Sequence, residues 1–220
     1  MDDMYLKFSN YQIGLQIALW LLCFYWVDFE LFIYLLNNYY YMKILLGMVL
    51  MTSQLFLCYY LYNLIKVDSI FKNEINTELE NISEKHDHTT CKKCNILRPR
   101  RAHHCRYCNK CILKMDHHSF LINKCIGKNN YIIYMKYLIS VELVSSYIFW
   151  ITLFVCIEYY SEFTIYTFIK YGFLIFGSFM ISLSLLFYLL FQLYIYLADL
   201  TTLEFIYPSL RINSDYVQKN

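Results

Sequence analysis

Forty residues, 91–130 (CKKCNILRPRRAHHCRYCNKCILKMDHHSFLINKCIGKNN), hold six of the nine cysteines and four of the six histidines in the chain. The thiols and imidazoles fall as Cys91-x2-Cys94, then His103, His104, Cys105, Cys108, Cys111, His118 and Cys125. Structural zinc takes four tetrahedral ligands, mostly thiolates with some imidazoles, and a Cys-x2-Cys pair delivers two sulfurs to one ion. Six cysteines and two histidines therefore match two Cys3His sites, although spacing alone leaves the pairing of ligands open. Within this framework lies a second set of reactive groups, Asp116-His117-His118-Ser119. An acid beside a histidine fixes its tautomer and stabilises the imidazolium, which is how a neighbouring nucleophile is activated. Neighbours in sequence need not be in bonding geometry, so these four residues alone carry little weight.

The rest of the chain has to place this segment. Of 220 residues, 59% are apolar and 16% charged, with 5 Gly and 2 Pro. That is too apolar for a soluble core of this size and implies a membrane protein. Net charge is +2, yet thirteen of the nineteen Lys and Arg lie between Lys66 and Lys128. The stretches 27–41 and 157–169 carry acidic residues and no basic ones. Positive-inside bias thus predicts a cytosolic central segment, where reducing conditions favour metal binding over disulfides. Apolar runs predict four spans, at 11–27, 42–65, 132–157 and 171–198, with both termini cytosolic. The acidic start (Asp2, Asp3) argues against a cleaved signal peptide.

The resulting organisation is a cytosolic N-terminus (1–10), spans one and two (11–65), a cytosolic linker (66–90), the cysteine-rich domain (91–130), spans three and four (132–198) and a polar cytosolic tail (199–220). In the linker, Ile75, Leu79 and Ile82 recur at helical spacing among glutamates and predict a short amphipathic helix. The Asn81-Ile82-Ser83 sequon is expected to stay unmodified in the cytosol, and His86, Asp87 and His88 to form a solvated turn. Cys23, Cys58 and Cys156 fall in predicted spans, where small apolar packing is their expected role. Glu142 lies within the third span. It is either a functional intramembrane carboxylate or is bonded to Ser145 or a neighbouring helix. No internal repeat is evident.

The cysteine-rich stretch resembles the corresponding domain of the DHHC (Asp-His-His-Cys) protein palmitoyltransferases. The likeness extends to the four-span topology, to Gly127 with Asn130 three residues on, and to Thr201-Thr202-x-Glu204 after the last span. It implies an all-α integral membrane protein of an endomembrane or the plasma membrane, with four transmembrane helices and a cytosolic zinc domain between helices two and three. It implies two structural Zn²⁺, one on Cys91, Cys94, His104 and Cys111, the other on Cys105, Cys108, His118 and Cys125. Zinc would replace the core that so short a segment cannot build. His103 is left over as a packing histidine. In such enzymes a cysteine takes the acyl group from palmitoyl-CoA or another long-chain acyl-CoA and passes it to a protein cysteine. Asp116 would orient His117, His117 would activate the nucleophile, and the motif of Thr201, Thr202 and Glu204 would pack against Asp116. Membrane lipid, acyl-CoA and cytosolic or membrane-anchored client proteins are the implied partners. The arginines 98, 100, 101 and 106 fit anionic lipid or the phosphates of an acyl-CoA, and flanking spans argue against nucleic acid.

Local departures bear on the chemistry. Ser119 stands at the nucleophile position, Phe120-Leu121 replaces Pro-Trp, and Lys124 replaces an Asn. A cysteine is partly thiolate at neutral pH, whereas a serine hydroxyl needs a strong base and an oxyanion hole. Transfer from a serine oxyester to a thiol is also uphill. The expectation is an S-acyltransferase with weak or absent activity; the alternative is a pseudoenzyme acting as an acyl-CoA-, lipid- or client-binding membrane scaffold.

Overall fold

Long apolar runs without proline fold as helices whose side chains stay exposed to hydrocarbon. The computed structural model describes residues 40–70, 88–99 and 101–210. The predicted first span, the linker helix, Cys23, Arg100 and the tail beyond Leu210 lie outside these residues. The described residues divide into two compact units, 40–61 with 136–189 and 62–135 with 190–210.

Four α-helices are present among the described residues: α1 (Tyr40–Lys66), α2 (Tyr131–Glu158), α3 (Ile165–Leu197) and the short α4 (Thr202–Ile206). Three helical stretches, Ile44–Lys66, Tyr131–Glu158 and Ile165–Leu197, are long and apolar enough to cross a membrane. At 33 residues α3 reaches about 50 Å, well beyond a ~30 Å hydrocarbon core. It begins six residues before the predicted start at 171. The reason is at Thr164, whose hydroxyl accepts from the Thr167 amide at 3.3 Å and caps the helix early. Lys170 is then carried within the helix rather than ahead of it.

Within the first unit α2 packs against both α1 and α3. Leu50 meets Val144, and the Tyr147 hydroxyl donates to the Leu46 carbonyl at 3.0 Å. Ile151, Val155, Tyr159 and Tyr171 form a buried cluster. Outward-facing side chains are large and apolar, such as Trp150, Phe173 and Phe187. Glu142 is bonded to a neighbouring helix: Ser182 of α3 donates to its Oε1 at 2.7 Å, while Ser145 donates to the Val141 carbonyl of its own helix.

The cysteine-rich segment departs from the all-α expectation. It contains six short strands, β1 (His88–Cys91), β2 (Ile96–Pro99), β3 (His103–Cys105), β4 (Lys110–Ile112), β5 (His117–Ser119) and β6 (Lys124–Ile126), paired as three antiparallel hairpins. The registers are equivalent: Cys91 faces Ile96, Cys105 faces Lys110, and Ser119 faces Lys124. Each four-residue turn closes on an asparagine with positive φ, Asn95 (52°), Asn109 (51°) and Asn123 (46°). Asparagine is one of the few residues that tolerate this left-handed conformation. The segment is thus three copies of a ten-residue hairpin recurring every 14 residues, at 89–98, 103–112 and 117–126, and the last two end in the same Asn-Lys-Cys-Ile. The repeat is masked in the sequence because the third copy carries Ser119 and Ile122 where the first two carry cysteines.

The hairpins are fixed to the ends of the long helices within the second unit. Buried Ser69, just past α1, donates to Asn130 Oδ1 at 2.8 Å and accepts from the Asn129 amide. Asn130 Nδ2 donates to the carbonyls of Val67 and Cys125. Gly127 allows this approach: a Cβ there would lie 2.7 Å from the Leu113 carbonyl oxygen and 2.9 Å from an Ile112 methyl.

Candidate functional site

The hairpin turns bring the cysteines into two clusters. Cys91, Cys94, His104 and Cys111 form one, and Cys105, Cys108, His118 and Cys125 the other, with the donor atoms of each within 4.8 Å of one another. A tetrahedral zinc with Zn–S near 2.3 Å and Zn–N near 2.0 Å requires S···S of about 3.8 Å and S···N of about 3.6 Å. In the first cluster Cys111 and Cys94 sulfurs are 3.8 Å apart, and His104 Nδ1 lies 3.7 and 3.1 Å from those of Cys91 and Cys94. In the second, Cys108 and Cys125 are 3.3 Å apart, and His118 Nδ1 lies 3.7, 3.4 and 3.5 Å from the three sulfurs. Donor type, number and spacing all fit structural zinc. Both histidines turn Nδ1 inward, and among the described residues their buried Nε2 atoms have no hydrogen-bond partner.

Crowding sets the thiols against one another. A hydrogen bond from Cys125, followed by the influence of His118, pushes the Cys108 thiol down against the effect of burial, while the same contact and burial push Cys125 up. A divalent cation resolves this conflict by favouring thiolate on every sulfur.

The third hairpin carries the reactive groups. Asp116 is 1% exposed and its carboxylate accepts three hydrogen bonds. Thr202 gives two of them, from its amide to Oδ1 at 2.7 Å and from its hydroxyl to Oδ2 at 2.8 Å. His117 Nδ1 gives the third, to Oδ2 at 2.7 Å. Since a carboxylate only accepts, Nδ1 carries a proton, and in the neutral imidazole Nε2, on the far side of the ring, is the nitrogen with the lone pair. The ring also meets Tyr134 edge-on at 5.3 Å. Alternation along β5 points His117 and Ser119 to one face and His118 to the other, toward the second cluster. Among the described residues no hydrogen bond joins the Ser119 hydroxyl to His117.

Thr202 is placed by the turn that ends α3. Thr201 caps α4: its hydroxyl accepts from the Glu204 amide at 3.2 Å, and Glu204 Oε2 accepts from the Thr201 amide at 2.8 Å. This reciprocal capping box leaves the Glu204 carboxylate buried, where Arg101 meets it with two parallel bonds of 2.7 Å. Burial opposes the Arg101 charge, but Glu204 and then Asp199 outweigh it and raise the guanidinium above its ordinary value.

This constellation can be assigned. A family model described as DHHC palmitoyltransferase matches residues 84–208. The chain belongs to that family. The matched region covers the three hairpins, α2, α3 and the capping box. No curated protein is similar enough to this DHHC chain to be counted as a relative.

Other residues of this DHHC domain were not singled out by sequence. Gln192 is fully buried. The Tyr131 hydroxyl donates to its Oε1 at 2.9 Å, and its Nε2 lies 3.5 Å from the Thr202 hydroxyl that donates to Asp116. A glutamine inside an apolar helix was the available signal. His103, the leftover histidine, is half-buried, and burial with the charges of Arg98 and Arg101 lowers its pKa. It lines a cavity of about 400 Å³ with Met115, Leu203 and Tyr207. The expected basic surface is largely committed elsewhere: Arg101 holds Glu204 and Asp199, Arg98 donates to the Ala102 carbonyl, and Arg106 is exposed. Lys124, opposite Ser119, donates to the Ile65 carbonyl and pairs with Asp68 at 2.8 Å.

Proposed function

We propose that this chain is a DHHC-family protein that retains the acyl-handling site of a protein S-acyltransferase but turns over weakly or not at all, because Ser119 occupies the nucleophile position. The observation that carries this reading is the bonded set Thr202–Asp116–His117, which leaves His117 Nε2 free as a base on the face of β5 that also carries Ser119. In this reading Asp116 orients and stabilises His117, His117 accepts the nucleophile's proton, and Thr201, Thr202 and Glu204 hold Asp116. The eight cysteine and histidine ligands hold two structural zinc ions. The substrate or ligand is palmitoyl-CoA or a similar long-chain acyl-CoA, and clients are cytosolic or membrane-anchored proteins. The membrane arrangement is four spans, residues 11–27 supplying the first, in an endomembrane or the plasma membrane, with the zinc domain (91–130), the linker, both termini and the 199–220 tail in the cytosol.

The chemistry of serine favours weak turnover. Its hydroxyl is not appreciably ionised at neutral pH, and an oxyester formed on Ser119 would pass its acyl group to a thiol only uphill. A second reading, a scaffold that binds acyl-CoA, lipid or a client without transfer, has the same observation behind it. Acyl loading from labelled palmitoyl-CoA separates the two, with wild type beside Ser119→Cys and Ser119→Cys/His117→Ala. The expected result is an unlabelled or faintly labelled wild type and a hydroxylamine-labile label on Ser119→Cys that disappears without His117. A hydroxylamine-resistant label on wild type would make Ser119 a working nucleophile. A labile label on wild type would move the acyl group to another cysteine and refute the assignment of Ser119.

A further inference from the structure

Three side chains lead from the ends of α2 and α3 to Asp116. Tyr131 opens α2, and its hydroxyl donates to Gln192 of α3, 2.9 Å from Oε1 and 3.1 Å from the backbone carbonyl. Gln192 Nε2 faces the Thr202 hydroxyl at 3.5 Å, and that hydroxyl donates to Asp116 Oδ2 at 2.8 Å. The Tyr131 ring is held in place by stacking on Tyr196, one turn along α3 from Gln192, with centroids 5.9 Å apart and planes 10° from parallel. Gln192 is fully buried. Burying an amide is costly unless its polar ends are bonded, and here the two ends meet different elements.

The directions of these bonds follow from Asp116 outward. A carboxylate only accepts, so the Thr202 hydroxyl gives its one hydrogen to Asp116. Its lone pairs are what remain for Gln192. The amide therefore presents its NH2 end to Thr202 and Oε1 to Tyr131, which donates in turn. Every donor points toward Asp116, and each bond polarises the next. The 3.5 Å step is too long to hold Thr202 by itself. Its effect is to place a donor, not an acceptor, beside a hydroxyl that can rotate. Turned the other way, Oε1 would face the same hydroxyl and compete with Asp116 for its hydrogen.

We propose that Tyr131 and Gln192 are positioning residues for the Asp116–His117 pair: Tyr131 fixes which end of the Gln192 amide faces Thr202, and so keeps the Thr202 hydrogen on Asp116. The inference rests on the reading of Asp116 as the residue that orients His117, and adds to it two residues that act through Thr202. The first turn of α2 thus serves the site twice, since Tyr134 lies edge-on to His117 at 5.3 Å.

The experiment is a double-mutant cycle, Tyr131→Phe against Gln192→Met, in the full chain carrying Ser119→Cys and held in nanodiscs. Zinc content of each variant establishes folding, and Gln192→Leu serves if the Met variant loses zinc. Met fills the space of Gln without an amide to orient, and Tyr131 keeps the backbone carbonyl at position 192. The readouts are the maximal loading rate, the half-saturating palmitoyl-CoA, and hydrogen exchange of the 199–207 peptide without acyl donor. The expected result is a maximal rate lowered about three- to tenfold by Tyr131→Phe at unchanged half-saturation, and no further loss when Tyr131→Phe is added to Gln192→Met. Exchange should follow the same pattern, about threefold faster in Tyr131→Phe and no faster in the double variant than in Gln192→Met. Additive losses, a rate lowered by less than about threefold in Tyr131→Phe, or a shift in half-saturation alone would each overturn the proposal. If Ser119→Cys takes no label at all, the acyl-transfer reading fails instead. The exchange cycle then decides the relay by itself, and additive or absent acceleration refutes it.

Discussion

Glu204→Ala tests the frame of the site most directly. The Glu204 carboxylate is 5% exposed and carries two charge-assisted bonds to Arg101 and one from the Thr201 amide. Removing one partner of a buried ion pair costs about 3–5 kcal/mol, because the other charge is left without compensation. Arg101 keeps two bonds to Asp199, one to its side chain and one to its carbonyl, so the cost falls at the lower end, about 3 kcal/mol. The pair joins a residue between hairpins one and two to the segment that holds Thr202 against Asp116. Its loss therefore opens residues 199–210 locally before anything else. Hydrogen exchange by mass spectrometry on that peptide should accelerate by about 10²-fold, the factor that ~3 kcal/mol of local opening corresponds to. The double variant Arg101→Met/Glu204→Leu removes both charges and restores apolar packing, so it should exchange more slowly than Glu204→Ala alone. Acceleration below about tenfold in the single variant, or a double variant at least as fast, would refute the claim that this ion pair holds the Thr201–Glu204 turn in place.

Four further outcomes follow from the same geometry. Cys108→Ser should lower zinc, measured by plasma emission, from about two ions per chain to about one or fewer, and expose the hairpin thiols to alkylation. In the Ser119→Cys background, Asp116→Asn should cut the loading rate by about 10²–10⁴-fold while zinc content holds, as expected for a base left in the wrong tautomer. In that background Gln192→Leu should slow loading less than Asp116→Asn does, since its contact with Thr202 is long at 3.5 Å. Asp199 is held below the usual carboxylate range by a hydrogen bond from Lys114, against burial and with help from Arg101. A depressed carboxylate contributes stability above its unfolded pKa and loses it as pH falls through the folded one. Asp199→Asn should thus weaken the fold slightly above about pH 4, with the difference vanishing under more acid conditions, and by less than about 1 kcal/mol for a side chain 75% exposed.

Much of this was legible in the sequence for identifiable reasons. Ligand spacing marks zinc because a chelating turn needs two residues between its cysteines, and helices of about twenty apolar residues mark spans because lipid leaves no other partner for the backbone. What escaped has equally physical causes. The hairpin repeat is carried by register and by the left-handed asparagines 95, 109 and 123, which become visible only in the backbone. Arg101 and Glu204 are 103 residues apart, and nothing in either neighbourhood announces the other. The start of α3 at Ile165 lies ahead of the apolar run expected from 171, because a helix carries the intervening Lys170 without strain. Glu142 was flagged, but its partner Ser182 lies on another helix and its choice over Ser145 is decided by packing.

The site also shows which of its parts speak to catalysis. Asp116 holds two bonds from Thr202 that tie the third hairpin to the end of α3, so its carboxylate has structural work whether or not any acyl group is transferred. His118 faces three sulfurs and belongs to a metal cluster. Thr201 and Glu204 cap a helix and bury an ion pair. Each of these would be needed by an inert scaffold built on the same fold. His117 differs. Its Nδ1 bond serves Asp116, which Thr202 already satisfies twice, and its other contact is a ring edge against Tyr134. Among the described residues Nε2 makes no hydrogen bond, and it lies on the strand face that carries Ser119. In wild type, His117→Ala should therefore cost little stability, about 1 kcal/mol for one hydrogen bond and one ring contact. In Ser119→Cys it should abolish loading. If instead His117→Ala loses zinc or unfolds the hairpin, its imidazole is a structural element like its neighbours. The retained Asp-His pair would then say nothing about a surviving base.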